Sequence, residues 1–398
     1  MEQQSQKEQT QIQHKAETGS KNFYDKYYKI ILIIPAILLL LSVLYLYNFN
    51  AKNRDIINKD VSLTGGTTIS VYDSNIKIDE ITAALQEKFP EISIRGISDI
   101  QTGKQIGVII ETKSSIDQIR LELEKILNYK LTSDNSSIEF TGSTISQGFY
   151  QQLRNAIFAA FLLMSCVVFI TFSQSRFMKG IVLMLGGIGL RILLPNVSIF
   201  TFISIALIIA GLVYGLMSGK EKKKLHYYSI LGLLILSLIL FKFDYIIFIP
   251  LIFLALFYIY IRNSMPSFMV TVCAFADIVM TIAVVDLIGM KLSIAGIIAF
   301  LMLIGYSVDT DILMTSRLLK EKEGTVNKRI WDAFKTGIMM TLTSIAAVGI
   351  SLLIIRNLSE TLHQIFTIVL IGLGFDIFNT WVTNASLLKW YMEVKKLE

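Results

Sequence analysis

Gly305-Tyr306-Ser307-Val308-Asp309-Thr310-Asp311-Ile312-Leu313-Met314-Thr315-Ser316-Arg317 puts two carboxylates and an arginine at the end of an apolar run that begins near Leu292. An ionised acid at the centre of a membrane helix costs about 2.5 kcal/mol or more on insertion scales, so acids inside membranes serve as relays, gates or partners. This run therefore reads as a span that works inside a bilayer. Asp309 and Asp311 are two positions apart, about 200° around a helix, and cannot share a face. Asp309 is expected to lie deeper and is the first candidate proton carrier.

The rest of the chain fits such a span. Apolar residues make up 53% and charged residues only 17%, the balance of a polytopic α-helical membrane protein. The net charge of +6 matters through where it falls, because basic loops set orientation. It gives no support to a nucleic-acid partner.

Residues 1–22 are rich in Gln, Lys and Glu and read as a disordered cytoplasmic tail. The first span follows at 30–47; its long hydrophilic lead and the lack of a small-residue cleavage site make it a retained anchor. Hydropathy then drops over 48–152. Alternating segments at Ser62 to Tyr72, Ile92 to Ile97, Gln105 to Thr112 and Ser137 to Thr141 predict strands. Between them, Ile78, Ile81, Leu85 and Phe89, then Ile116, Ile119, Leu123 and Ile126, mark the apolar faces of two helices. The order β-α-β-β-α-β is that of an α+β ferredoxin-like domain, with both helices on one face of an antiparallel sheet. Gly65-Gly66 in the first strand predicts a bulge or a close backbone approach; a phosphate loop would need more glycines and a following helix.

Beyond this domain the chain is nearly all membrane: a second core span at 153–173, an apolar block at 174–262, four further core spans within 266–383 and a cytoplasmic tail at 384–398. Pro195-Asn196, Gly219 to Lys224 and Lys242-Phe243-Asp244 break the block into four segments, some barely long enough for a hydrocarbon core of about 30 Å. Six core spans and four inserted ones make ten. With the N-terminus inside, the basic loops at Arg176 and Lys179, Lys220 to Lys224, Arg317 to Lys335 and Lys389 to Lys396 all fall on the cytoplasmic side, and the small domain is extracytoplasmic.

Five motifs in order carry a resemblance: Leu63-Thr64-Gly65-Gly66-Thr67, Ala274-Phe275-Ala276-Asp277-Ile278, Gly305 to Asp311, Lys335-Thr336-Gly337 with Thr341-Leu342-Thr343, and Asp376-Ile377-Phe378-Asn379-Thr380-Trp381. Together they resemble the SecF side of the SecD/SecF family, in its archaeal form, over about four-fifths of the chain. The resemblance implies a half-unit of the resistance-nodulation-division superfamily that pairs with SecD beside a SecY/SecE-type channel. It also implies that the ion gradient is used to move external domains acting on an unfolded secretory polypeptide. It implies a family-motif role for Gly65, Gly66, Gly305, Tyr306, Ser307, Gly337, Thr341 and Asn379. Two departures bear on proton coupling: the bacterial pattern has Asn-Asp where Asp309-Thr310 stands, and commonly Arg where Lys335 stands. The block at 180–261 is foreign to the usual pattern.

Weighed as residues, Asp309, Asp311, Lys335, Asp277 and Asp376 form the proton-coupling set. A helix shift that changes an acid's partner changes its proton affinity. The structural alternative is a static pair of Asp309 or Asp311 with Lys335 or with a SecD residue. Asp277 and Asp376 can be partners of that acid or groups satisfied by small polar neighbours, Asp286 is expected at the interface, and Arg317 caps the cytoplasmic end of its helix. Gly296, Gly305, Gly337, Gly349, Gly372 and Gly374 are expected to mark close helix contacts. Lys220 to Lys224 reads as an orientation signal, with anionic membrane lipid or ribosomal RNA as other ligands. Cys166 and Cys273 read as core residues, and His226 and His363 lack metal-ligand spacing. No nucleophile with an adjacent base, phosphate loop or zinc pattern points to an enzyme or a cofactor. A proton-driven exporter of small molecules or lipids and a purely structural translocon partner are the competing functions.

Overall fold

The computed structural model describes residues 23–90, 92–99, 102, 104–194, 198–216, 249–321, 324–355 and 360–395. The tail at 1–22, the Lys220 to Lys224 run, His226, Lys242 and a large part of the inserted block lie outside the described residues.

Two helices, α1 (Phe23–Ile31) and α2 (Ile33–Asn53), form the first span and deliver the chain to the small domain. There a one-turn helix, α3 (Val61–Thr64), precedes β1 (Gly66–Val71), α4 (Ile78–Gln86), β2 (Ser93–Ser98), β3 (Gln105–Thr112), α5 (Ile116–Leu127) and β4 (Ser136–Thr141). The sheet order is β2-β3-β1-β4 with every pair antiparallel, which is the ferredoxin-like topology. Ile69, Val71, Val108 and Ile110 from the sheet meet Ile81, Leu85, Ile119 and Leu123 from the helices in one closed core. Each such side chain stabilises the fold by about 1.5–3 kcal/mol on burial.

The first strand is shorter than its sequence pattern predicts. Asp60 accepts a hydrogen bond from the Ser62 backbone N–H at 2.8 Å, capping a helical turn where a strand is expected. Gly65 (φ 85°) and Gly66 (φ 149°) then turn the chain into the sheet. A Cβ on Gly65 would stand 2.5 Å from the Ser143 Cα, and one on Gly66 2.3 Å from the Thr112 carbonyl oxygen. The expected close backbone approach is therefore present at both.

The helices that follow are α6 (Ser143–Phe172), α7 (Arg176–Leu193), α8 (Ser198–Leu216), α9 (Ile249–Asn263), α10 (Met265–Leu287), α11 (Ile294–Lys320), α12 (Val326–Ile355), α13 (Glu360–Phe378), a π-helical turn (Asn379–Asn384) and α14 (Ala385–Lys395). Among the described residues six helices are long and apolar enough to cross a membrane: Lys26–Asn53, Ser143–Phe172, Met265–Leu287, Ile294–Lys320, Val326–Ile355 and Thr361–Lys395. The chain is a multi-pass helical membrane protein carrying a small α+β domain. Two helices run past their expected ends. α6 starts directly after β4, so Ser143 to Gln152 are helical rather than part of the domain's body. At the other end the last helix continues through residues expected in the tail, because Ala385, Leu388 and Met392 pack on Met269, Met314 and Leu318.

α11 is central, packing against α6, α10, α12 and α13. Three of the expected close contacts are made: a Cβ on Gly296 would meet Gln364 at 2.7 Å, on Gly337 the Trp381 ring at 2.4 Å and on Gly372 Leu303 at 2.4 Å. Gly305, Gly349 and Gly374 face open space instead, with nothing within 4 Å among the described residues. α7, with Gly186, Gly187 and Gly189 buried, packs with α6, α8 and α9 into a second apolar cluster built largely by the inserted block.

The two halves are joined by backbone. Leu292 N–H donates to the Asn58 carbonyl at 2.6 Å and Asp60 N–H to the Leu292 carbonyl at 3.0 Å, a short parallel bridge between the domain's first residues and the α10–α11 loop. Asn58 N–H also donates to Asp286 Oδ1 at 3.1 Å, and Ile294 N–H to Ser62 Oγ at 3.2 Å. Asp286 thus sits where the span meets the domain, at the end of α10.

Candidate functional site

In the membrane core α10, α11 and α13 bring three carboxylates together. Asp277 and Asp311 are fully buried and Asp376 is 1% exposed. Asp277 accepts from Ser307 Oγ at 2.5 Å and from Asn379 Nδ2 at 2.6 Å. Asp311 accepts from Asn384 Nδ2 at 2.7 Å and from Thr380 Oγ1 at 3.0 Å. Asp376 lies within reach of Thr310 Oγ1 at 3.0 Å and of Thr380 Oγ1 at 3.2 Å. Thr380 can serve only one acceptor at a time, so its hydroxyl proton points to Asp311 or to Asp376.

The local sequence explains the convergence. Ser307, Thr310 and Asp311 follow helical spacing on one side of α11, all buried. Asn379, Thr380 and Asn384 are all fully buried because the α13 helix widens into a π turn there. Such turns often sit at functional positions.

No Lys, Arg or His forms an ion pair with the three acids among the described residues. Asp311 Oδ2 and Asn384 Oδ1 are buried without hydrogen-bond partners among the described residues. Several ionised carboxylates enclosed together without a counter-charge are prohibitively costly, so the three acids cannot all be ionised at once. Hydroxyl and amide neighbours that donate to a carboxylate can reorient as its charge changes, which is what a relay needs.

The expected residues divide. Asp311, Asp277, Asp376, Ser307 and Asn379 come together. Asp309, expected deeper, is exposed on the opposite side of α11, as the two-position spacing requires. Lys335 reaches neither acid of α11: it is exposed, 3.9 Å from Asp332 and over the Trp331 ring. Thr341 is buried and its hydroxyl donates to the Gly337 carbonyl of its own helix. Gly305 and Tyr306 lie on the exposed side with Asp309. Arg317 occupies the last turn of α11 as expected, donating to the Asp332 carbonyl at 3.3 Å. The stronger cap is one the sequence reading missed: buried Arg329 donates to the Leu318 and Glu321 carbonyls at 2.9 and 2.8 Å. Thr310 and Asn384 were missed as well. The signal for Asn384 was a polar repeat at 376, 380 and 384 in an apolar span. Cys166 and Cys273 are free and buried.

The same region carries the family signature: residues 236–394 match the model described as protein export membrane protein SecD/SecF, C-terminal. That segment is similar to the C-terminal part of SecD/SecF proteins. The protein-export membrane protein SecF of Methanolacinia petrolearia is 47% identical over 133 residues, 33% of this chain and 47% of that protein. The SecF of Methanothermobacter thermautotrophicus is 41% identical over 141 residues, 35% of this chain and 49% of that one. The chain spans about half the length of the curated relatives it matches. The crystal structure of SecDF, a translocon-associated membrane protein from Thermus thermophilus, superposes with a TM-score of 0.51 at 14% identity over 96% of this chain and 41% of that one. At that identity the match speaks for a shared fold. All three carboxylates of the cluster lie within the SecD/SecF-type segment.

Proposed function

We propose that the chain is a non-enzymatic SecF-like subunit of the SecD/SecF accessory complex, promoting export of proteins across the cytoplasmic membrane by ion-gradient-driven conformational change. The observation that carries the driven part is the buried Asp277, Asp311 and Asp376 cluster, which lacks a cationic partner among the described residues. A proton delivered to one acid relieves repulsion among the three and alters which carboxylate the Thr380 hydroxyl serves. That biases the packing of α11 against α13. Each charge moved through about 100 mV supplies roughly 2.3 kcal/mol, enough to shift a two-state equilibrium and not enough to extrude a chain in one stroke.

Motion of α11 has a route to the domain, since the loop preceding it is hydrogen-bonded to Asn58, Asp60 and Ser62. The domain, outside the cell in the orientation favoured by basic loops, receives the unfolded secretory polypeptide emerging from a SecY/SecE-type channel. The partner SecD is assigned to the exposed stripe of α11 formed by Ile298, Met302, Gly305, Tyr306 and Asp309, spaced for one helix face. An acid left open on a membrane face calls for a partner group, so Asp309 is given to subunit pairing and Asp311 to coupling.

The test is pulse-chase export of a secreted reporter in cells with the wild-type chain, a depletion, or Asp311→Asn, with SecD co-purification as the assembly control. Slowed export on depletion and in Asp311→Asn, with SecD still bound, supports driven coupling. Slowed export on depletion alone leaves an export subunit whose buried acids are structural. Unchanged export on depletion refutes the reading.

A further inference from the structure

The loop that meets the small domain is held from its other side by one amide. Gln364, near the start of α13 and 4% exposed, accepts from the Ser293 backbone N–H at 3.1 Å and from the Ser293 hydroxyl, and its Nε2 donates to the Lys291 carbonyl. A backbone N–H can only donate and a carbonyl can only accept, so these partners fix which way the amide points. Leu292, between them, is fully buried and exchanges backbone hydrogen bonds with Asn58 and Asp60 of the domain. Residues 291–293 are thus a strap with the domain on one side and α13 on the other. Ser293 also caps α11, its hydroxyl accepting from the Gly296 N–H at 3.3 Å.

The same helix carries part of the carboxylate cluster at its far end. Gln364, Ile368, Gly372, Asp376 and Thr380 recur at every fourth position and are all buried, the spacing of one ridge on a helix. That ridge meets α11 at both ends and between: Gln364 at Ser293, Gly372 at Leu303, Asp376 at Thr310 and Thr380 at Asp311. From Gln364 to Asp376 is about 18 Å of helix. Close-packed side chains along a ridge transmit strain, so a shift or rotation of α13 at the acids also moves its contact with the strap.

We infer that Gln364 is the positioning residue that carries the state of the carboxylate cluster to the small domain, acting through the strap at 291–293. This role rests on the ion-driven reading above and supplies its link from α13 to the domain. The domain keeps other ties, from Asn58 N–H to Asp286 and from Ile294 N–H to Ser62, so losing the amide loosens the strap without releasing it.

The experiment is hydrogen exchange on the full chain in lipid nanodiscs, following peptides that cover 57–64 and 288–295, in a double-mutant cycle of Asp311→Asn and Gln364→Met. Methionine keeps the length and apolar stem of the side chain and loses all three hydrogen bonds. Asp311→Asn, which fixes that acid in an uncharged form, is expected to change exchange in both peptides several-fold in the wild-type background and to leave it unchanged with Gln364→Met. Ser293→Ala, which removes one of the three bonds, is expected to give an intermediate loss of the response. If Gln364→Met melts well below the wild type, Ser293→Ala alone decides. A Gln364 that only fastens the loop raises basal exchange but leaves the Asp311→Asn response at full size, and that result overturns the proposal. Absence of any response to Asp311→Asn in the wild-type background overturns it too. Export then tells the two readings apart: slowed export in Asp311→Asn with SecD bound keeps the driven reading and removes only the route through Gln364, whereas normal export removes both.

Discussion

Asn384 Nδ2 stands 2.7 Å from Asp311 Oδ1, joining the last turn of a π-helical segment to a fully buried acid 73 residues earlier in the chain. Asp311 depends on that amide and on the Thr380 hydroxyl, while its second oxygen has no partner among the described residues. A hydrogen bond to a charged acceptor contributes about 1.5–3 kcal/mol. Asn384→Ala is therefore expected to slow export without releasing SecD. Asn384→Asp, which adds a fourth acid to the cluster, is expected to impair it further; reporter pulse-chase with co-purification reads both.

The two acids of α11 should separate by assay. Asp311→Asn is expected to abolish most of the stimulation of export and leave subunit pairing intact. Asp309→Asn is expected to act on pairing, because its carboxylate is exposed on the unpartnered side of the helix. Equal effects of both on pairing would remove the division of roles.

Gly66 adopts φ 149°, and a Cβ there would stand 2.3 Å from the Thr112 carbonyl oxygen. Gly66→Ala thus combines backbone strain with a clash against a β3 carbonyl and is expected to destabilise the small domain by about 1–3 kcal/mol. Urea-dependent proteolysis of the intact protein, following cleavage within 66–141, measures it.

Burial raises the Asp60 carboxyl above its ordinary value of 3.8, against the opposing effect of its bonds from Ser62 and Leu63. The folded state therefore holds this proton more tightly than the unfolded chain. The resulting stabilisation is complete below the ordinary value and is lost as pH rises through the elevated one. Asp60→Asn keeps a good cap and removes the charge. Hydrogen exchange at the Ser62, Leu63 and Thr64 amides, corrected for intrinsic rates, is expected to lose its dependence on pH in that window.

Gly337 lets the Trp381 ring lie against α12, where an added Cβ would approach Cζ2 to 2.4 Å. Gly337→Ala is expected to shift the π-helical turn, lower the melting temperature by a few degrees and slow export, whereas Gly349→Ala, in open space, changes neither.

Much of the fold was readable because its signals are local. Period-two alternation and the apolar faces at Ile81, Leu85, Ile119 and Leu123 specify the ferredoxin-like domain, since strands and helices repeat side chains at different intervals. Span positions follow from apolar runs. The misreadings are also physical. Val61 to Thr64 look like strand by composition, yet the Asp60 side chain caps them into a turn of helix. Ala385, Leu388 and Met392 look like the start of a tail, yet they cover Met269 and Leu318.

By itself the sequence determined that the chain spans a membrane, that it carries one small α+β domain, and that Asp309 and Asp311 lie on opposite sides of a helix. These are matters of hydropathy, periodicity and residue spacing. Only the tertiary structure decided which acid is buried, because that depends on how α11 is rotated against α10 and α13. It likewise decided that Asp277 and Asp376 join Asp311, that Lys335 stays away, and that Asn384 reaches inward. Those outcomes rest on helix packing and on one extra residue in a turn, and neither can be read from the spacing of residues along a single span.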